Sequence, residues 1–225
     1  YQSSLAISNM QIATAIASST ETLSDEQQTQ ASNLVQDAIE RARLLTVLRP
    51  DDSESYRVLA SIYRAVVPFT GEENQTAIQW TVASFVEAIN RNPSDPILRI
   101  ELGQFLLEAK QYSDAVLVFQ QAAQLKPDLA MSYYYLAQAF RASDQLKNAQ
   151  DSYQEALRLT SSDSEDYQVI MDELTAVKTE LGSQEATESE DQPSSPAKTI
   201  KSGVSEDASP SALPNLPSLI EQNFP

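Results

Sequence analysis

Residues 94–127 read SDPILRIELGQFLLEAKQYSDAVLVFQQAAQLKP, and residues 128–161 read DLAMSYYYLAQAFRASDQLKNAQDSYQEALRLTS. Set one above the other, these two lines of 34 residues agree where packing is decided. Leu102, Gly103, Ala115, Phe119 and Ala122 answer to Leu136, Ala137, Ala149, Tyr153 and Ala156, and Pro127 answers to Ser161. Within each line the apolar residues recur at three and four, the spacing of a helix with one buried face. A fixed period of this length means stacked helix–turn–helix units, each needing its neighbour to cover its apolar side. The stretch Asn92 to Ser161 therefore predicts an all-α solenoid and serves as the ruler for the rest of the chain.

Working towards the N-terminus, the closing prolines Pro127, Pro93 and Pro50 mark successive units. The unit over 51–93 carries Tyr56, Leu59, Ala60 and Tyr63 in its first helix, and Trp80, Phe85, Ala88 and Ile89 on the expected buried stripe of its second. Its prolines lie 43 residues apart, nine more than the period (93 − 50 = 43; 43 − 34 = 9). The extra residues fall in Val66 to Ala77 (VVPFTGEENQTA), where Pro68 and Gly71 break the helix. Such a loop is either a tolerated surface insertion or a contact site. Asn74-Gln75-Thr76 within it matches the N-glycosylation acceptor pattern, which also recurs by chance, so Asn74 is a glycosylation position only in an exported chain. Further back, Ser24 and Gln27 form a capping box that opens a helix ending before Pro50. Aligned on the prolines, Ala38 takes the slot of Ala115 and Ala149. Leu5, Ile7, Met10, Ile12, Ala13, Ile16 and Ala17 spread over more than one face, which predicts a first helix covered on two sides. Residues 3–50 thus read as a first unit.

Towards the C-terminus, Tyr167, Ile170, Leu174, Val177 and Leu181 line one face of a helix over 163–181. Asp166, Asp172, Glu173, Lys178 and Glu180 are expected to face outward, as in a helix that caps a solenoid, and Gly182 to stop it. Residues 1–182 then form the solenoid, with about four units (3–50, 51–93, 94–127, 128–161) and the capping helix. Residues 183–212 (beginning SQEATESEDQPSSPAK) read as a flexible acidic linker, with too little apolar surface to offset the entropy of ordering. The last residues, 213–225, are apolar and punctuated by proline. Leu213, Leu216, Leu219, Ile220 and Phe224 there read either as a self-docking peptide or as a disordered end.

Composition narrows the function classes. A formal net charge of −17, from 15 basic and 32 acidic residues, opposes nucleic acid and anionic lipid as partners. Cys and His are both absent, which removes thiol and imidazole chemistry and nearly all zinc or haem ligation. Asp51-Asp52 and Asp163 to Asp166 have the pattern of helix starts, and no acidic loop has the ligand spacing of a calcium loop. The expectation is a non-catalytic protein with no cofactor and no metal. No apolar run nears the roughly 18 residues of a membrane-spanning helix, so this chain is not expected to insert directly. Opening on Tyr1, it reads as a processed or excised piece.

The 34-residue period with its Leu, small-residue and aromatic slots resembles the tetratricopeptide repeat (TPR). The resemblance implies a superhelix in which five positions of each first helix face a concave groove that binds a peptide. By that carry-over the second unit offers Glu54, Arg57, Val58, Ser61 and Arg64. The third offers Ile97, Ile100, Glu101, Gln104 and Leu107, and the fourth Met131, Tyr134, Tyr135, Gln138 and Arg141. Tyr134 and Tyr135 are the leading groove residues, unless they pack against the next helix instead. TPR co-chaperones that clamp a terminal carboxylate use Lys, Arg and Asn at groove slots held here by Arg57, Ser61, Ile100 and Glu101. That specialisation is not expected.

A second resemblance covers roughly residues 1–181. TLSDEQQTQASNLVQDAIERARLLTVLRP (22–50), SYRVLASIYRAVVPF (55–69), WTVASFVEAINRNPSDPILRIELG (80–103) and YSDAVLVFQQAAQLKPDLAMSYYYLAQAFR (112–141) are similar to the extracytoplasmic TPR array of bacterial O-antigen-ligase-like membrane proteins. It implies export, an upstream membrane anchor and a place at the bacterial cell envelope, with no ligase chemistry in this part. The expected function is an interaction scaffold for a protein or an extended peptide. The alternative is a self-assembling filament subunit, its partners being other copies of this chain.

Overall fold

Helices, several of them opened by a side-chain cap, account for most of the described residues. In the computed structural model, which describes residues 1–18, 24–69 and 74–190, the described residues form nine α-helices and no strand. They are α1 (Gln2–Ser18), α2 (Asp25–Leu48), α3 (Ser53–Val66), α4 (Asn74–Arg91), α5 (Pro96–Glu108), α6 (Tyr112–Leu125), α7 (Ala130–Ala142), α8 (Leu146–Leu159) and α9 (Glu165–Glu190). A 3₁₀ turn at Val67–Phe69, containing Pro68, ends α3 where the sequence predicts a break.

Side-chain oxygens satisfy the orphan N–H groups at several helix starts. The Ser24–Gln27 capping box forms as expected: the Gln27 N–H donates to Ser24 Oγ at 3.3 Å, and the Ser24 N–H donates to Gln27 Oε1 at 3.0 Å. Asp52 caps α3 and Asp95 caps α5, where Pro96 occupies the first helical position without sacrificing a hydrogen bond. The turns inside the two regular units share one geometry. Lys110 and Asp144, 34 apart, both sit in the left-handed region at φ 59° and 60°. The following N–H groups of Gln111 and Gln145 reach back to the Leu106 and Phe140 carbonyls at 2.8 Å, which is the Schellman closure.

The helices pack in sequence, α1 on α2 through α8 on α9, and α5 also touches α7. The first helices α3, α5, α7 and α9 thereby come to line one face. Alanine makes close approach possible: Ala38, Ala115, Ala149, Ala122 and Ala156 are each 0% exposed, in line with their assigned slots. Phe119 and Tyr153 are fully buried at the matched aromatic positions. A Cβ added to Gly103 would lie 2.5 to 2.9 Å from the Phe119 ring, so this slot admits only glycine while that ring stays put. The core divides at α3. Val58, Leu59, Ile62 and Tyr63 join Met10 and Leu45 in one cluster, while Ala60 belongs to a larger cluster running on to Val177.

Four expectations need correction. α1 is not covered on two sides by described residues, since Ile7 and Ile12 are 39% and 46% exposed while Ala6, Met10 and Ala13 face inward. Trp80 is not on the buried stripe of α4; it is 39% exposed and lies tilted on Tyr63 with ring centroids 5.4 Å apart. Helix α9 does not stop at Gly182 but continues to Glu190, because a helix ends at glycine only where the chain adopts the left-handed turn. Glu173 and Glu180 do not face solvent as a polar cap, for reasons of charge given below. The terminal residues Leu213, Leu216, Leu219, Ile220 and Phe224 lie outside the described residues, as does the side chain of Asn74, the first residue of α4.

Candidate functional site on the face of the first helices

The site is built from one stripe on each of α3, α5, α7 and α9, and its chemistry changes along the row. Across α3 and α5 it is ionic. Arg57 donates through Nη1 to Glu101 at 2.8 Å and through Nε and Nη2 to Glu54 at 2.7 and 2.9 Å. These contacts, Glu54 first, hold the Arg57 guanidinium above its ordinary pKa. One turn on, Arg64 pairs with Glu108. Ser61 turns its hydroxyl onto the Val58 carbonyl at 2.7 Å. Arg57 and Arg64, two of the three arginines expected in the groove, are thus occupied by carboxylates of this chain.

Between α5 and α7 the face becomes apolar. Ile97 and Met131, at the same slot 34 residues apart, are 39% and 46% exposed. Gln104 and Gln138 are half-buried beside them. Ile100, expected in the groove, is only 2% exposed and belongs to the core. The matching slot of α7 holds the half-buried Tyr134, so of the two only the tyrosine offers surface to a ligand.

Tyr134 and Tyr135 are both half-buried and join the packing, the alternative left open by the sequence. Tyr135 stacks on Phe119 with centroids 5.7 Å apart, and Tyr134 meets Tyr135 and Tyr153 edge-on at 5.2 and 6.0 Å. Gln138 Nε2 donates to the Tyr134 hydroxyl at 2.8 Å. Burial, then Glu173, raise the pKa of Tyr134 above the usual phenol value. Tyr153 behaves the same way more strongly. Its hydroxyl is buried near the Arg141 guanidinium and has no partner in good hydrogen-bond geometry.

Arg141 closes the row by bridging α7 to α9. It donates to Glu173 and to both carboxylate oxygens of Glu180. These two glutamates are the site residues that the sequence reading misplaced. Their seven-residue spacing puts them on one side of α9, flanking the buried Ile170, Leu174 and Val177. A usable signal was present: Tyr167, Ile170 and Leu174 stand 34 after Tyr133, Leu136 and Phe140. Helix α9 therefore continues the period as a further first helix, and its matching face turns inward. Asp166, Val169, Glu173 and Glu180 share that side.

No helix among the described residues is long and apolar enough to cross a membrane. No group of three or more His, Cys, Asp or Glu that could hold a metal ion occurs among them either. No family model and no curated protein matches the sequence. Among solved structures the chain is similar to TTC0263, a thermophilic TPR protein of Thermus thermophilus, with a TM-score of 0.54 and 20% identity over 68% of this chain and 77% of that one. It is also similar to MamA (TM-score 0.47, 19% identity, 60% and 69% covered). A third similar structure is the first TPR of Spaghetti (RPAP3), bound there to the HSP90 peptide SRMEEVD (TM-score 0.46, 18% identity, 58% and 98% covered). With its 34-residue period, paired helices and Schellman turns, this chain has the fold of a TPR solenoid.

Proposed function

We propose that this protein is a non-catalytic interaction scaffold that receives an extended peptide along the face of its first helices. One observation carries the reading. Ile97 and Met131 are exposed at matched slots beside the half-buried Tyr134, while every arginine of the face is already tied to a carboxylate. Exposed apolar and aromatic side chains set among satisfied polar groups are what a peptide backbone with apolar anchors requires. Selection of a random dodecapeptide library on the full chain tests this. Binders should lose at least tenfold in affinity on Met131→Glu or Tyr134→Ala, and binders indifferent to both would refute it.

Self-assembly is the second reading, favoured by a different surface. Leu44, Val47 and Leu48 on α2 are 42%, 74% and 63% exposed at the N-terminal end of the array. A contact between unlike ends builds rings or filaments, and the apolar terminal peptide over 213–225 is its other candidate element. Val47→Asp should then convert filaments seen by negative-stain microscopy into monomers. The extracytoplasmic location and glycosylation at Asn74 rest on the sequence resemblance and the acceptor tripeptide alone.

A further inference from the structure

The geometry points to a cationic segment, one that carries lysine or arginine next to an apolar side chain, as the occupant of the face between α7 and α9; this rests on the reading of that face as a peptide groove. Charge supplies the first argument. Arg57 is met by Glu54 and Glu101, Arg64 by Glu108, and Arg141 by Glu173 and Glu180. Three guanidinium groups therefore face five carboxylates. Near Tyr134, α9 adds Asp166, whose charge acts on that phenol together with Glu173. An anionic ligand would have to displace a carboxylate already in place, whereas a cation meets an uncompensated excess. Within a concave wall such an excess focuses the field on the incoming ligand.

The second argument is an unfinished hydrogen-bond inventory. The Tyr153 hydroxyl is fully buried and has no partner in good hydrogen-bond geometry. Its ring meets Tyr134. Arg141 favours its phenolate by charge and by a weak hydrogen bond, against burial and Glu173, while the well-formed bonds of that guanidinium go to Glu173 and Glu180. A buried polar atom with no partner carries a desolvation cost that a donor from outside can relieve. An ammonium or guanidinium offers three to five N–H donors and also suits the face of a tyrosine ring. This chain already uses that chemistry elsewhere, with the Arg91 guanidinium 3.7 Å from the Tyr56 ring centroid. Flanking the aromatic pair, Met131 and Val169 are 46% and 50% exposed and supply the apolar contact for the neighbouring ligand residue.

The same dodecapeptide selection, read for charge, decides the matter. Lysine and arginine should be enriched beside an apolar residue, and affinity should fall as salt rises. The double variant Glu173→Gln, Glu180→Gln should weaken a selected basic peptide by about tenfold, the worth of one charge-assisted contact. Because that variant also frees Arg141, Asp166→Asn provides the second probe: it leaves both Arg141 pairs intact and should still weaken binding by about threefold. Removing the exposed Asp151 charge on α8 should change nothing. Acidic or uncharged winners that still depend on Tyr134 would overturn the cationic assignment and leave the groove reading standing. Winners that ignore both Tyr134 and Met131 would remove both. Equal losses for Asp151→Asn and Asp166→Asn would reduce the effect to net charge and overturn the site.

Discussion

The first unit and the regular pair that follows Asn92 are built on the same plan with unequal materials. In the regular pair, helices of 13 and 14 residues bury Leu98, Leu102, Phe105, Phe119, Leu136, Phe140 and Tyr153, and left-handed Schellman turns join them. In the first unit, helices of 17 and 24 residues bury Ala6, Met10, Ala13, Ala38, Ala42 and Leu45, mostly small side chains, and expose Ile7, Ile12, Leu44, Val47 and Leu48. Burial of a large aromatic contributes several times what burial of an alanine does. The regular pair is thus the stable centre, and the first unit shares its smaller core cluster with Val58, Leu59, Ile62 and Tyr63 of α3.

Truncation at the aromatic slot should break this contrast most sharply. Phe119→Ala leaves a cavity between α5, α6 and α7, and should cost about 3–5 kcal/mol, lowering the midpoint of the whole thermal melt. Met10→Ala in the first unit should cost about 2–3 kcal/mol, and hydrogen exchange should locate that loss in α1 and α2 alone. Equal and global effects would mean that the array melts as one block.

The two helical glycines sharpen the point. Gly103→Ala drives a methyl into the Phe119 ring and should destabilise by about 1–3 kcal/mol in urea unfolding. Gly182→Ala meets nothing within 4 Å and should stabilise the far end of α9 by about 0.5–1 kcal/mol, read as slower amide exchange there.

The smallest effect at neutral pH belongs to Tyr153→Phe, which removes a buried hydroxyl in poor hydrogen-bond geometry and should raise the melt only slightly. Its signature is alkaline. The folded-state pKa of Tyr153 is raised by burial, and those of Tyr63 and Tyr134 are raised too. Stability from these phenols is therefore complete below the ordinary tyrosine value of about 10 and declines as pH rises above it, since the unfolded chain then releases the proton more readily. A pH series should show the wild-type midpoint falling above about pH 10 and Tyr153→Phe falling less steeply.

Much of this was legible before any coordinates. The period assigns Ala115 and Ala149 their slots and the closing prolines assign Ala38 the same one, and all three are fully buried. The Ser24 cap and the break at Pro68 were equally local, because a helix start or stop depends on a few neighbouring residues. Ile100, Trp80 and Glu173 were misplaced for one reason: periodicity says which side of a helix a residue occupies, not what stands opposite. Ile100 is part of the core, whereas Tyr134 at the matching slot of α7 is half-buried. Glu173 and Glu180 turned towards α7 because Arg141 waits there.

The 34-residue repeat by itself determined the helical hairpin, its stacking on its neighbours and the identity of the small and aromatic slots, since these follow from spacing along one chain. The tertiary structure alone decided which arginines were already paired, how far Tyr134 and Tyr135 sink into the packing, and which buried hydroxyls lack a partner in good geometry. Those outcomes depend on side chains as many as 44 residues apart, and distance in sequence carries no record of who meets whom across a groove.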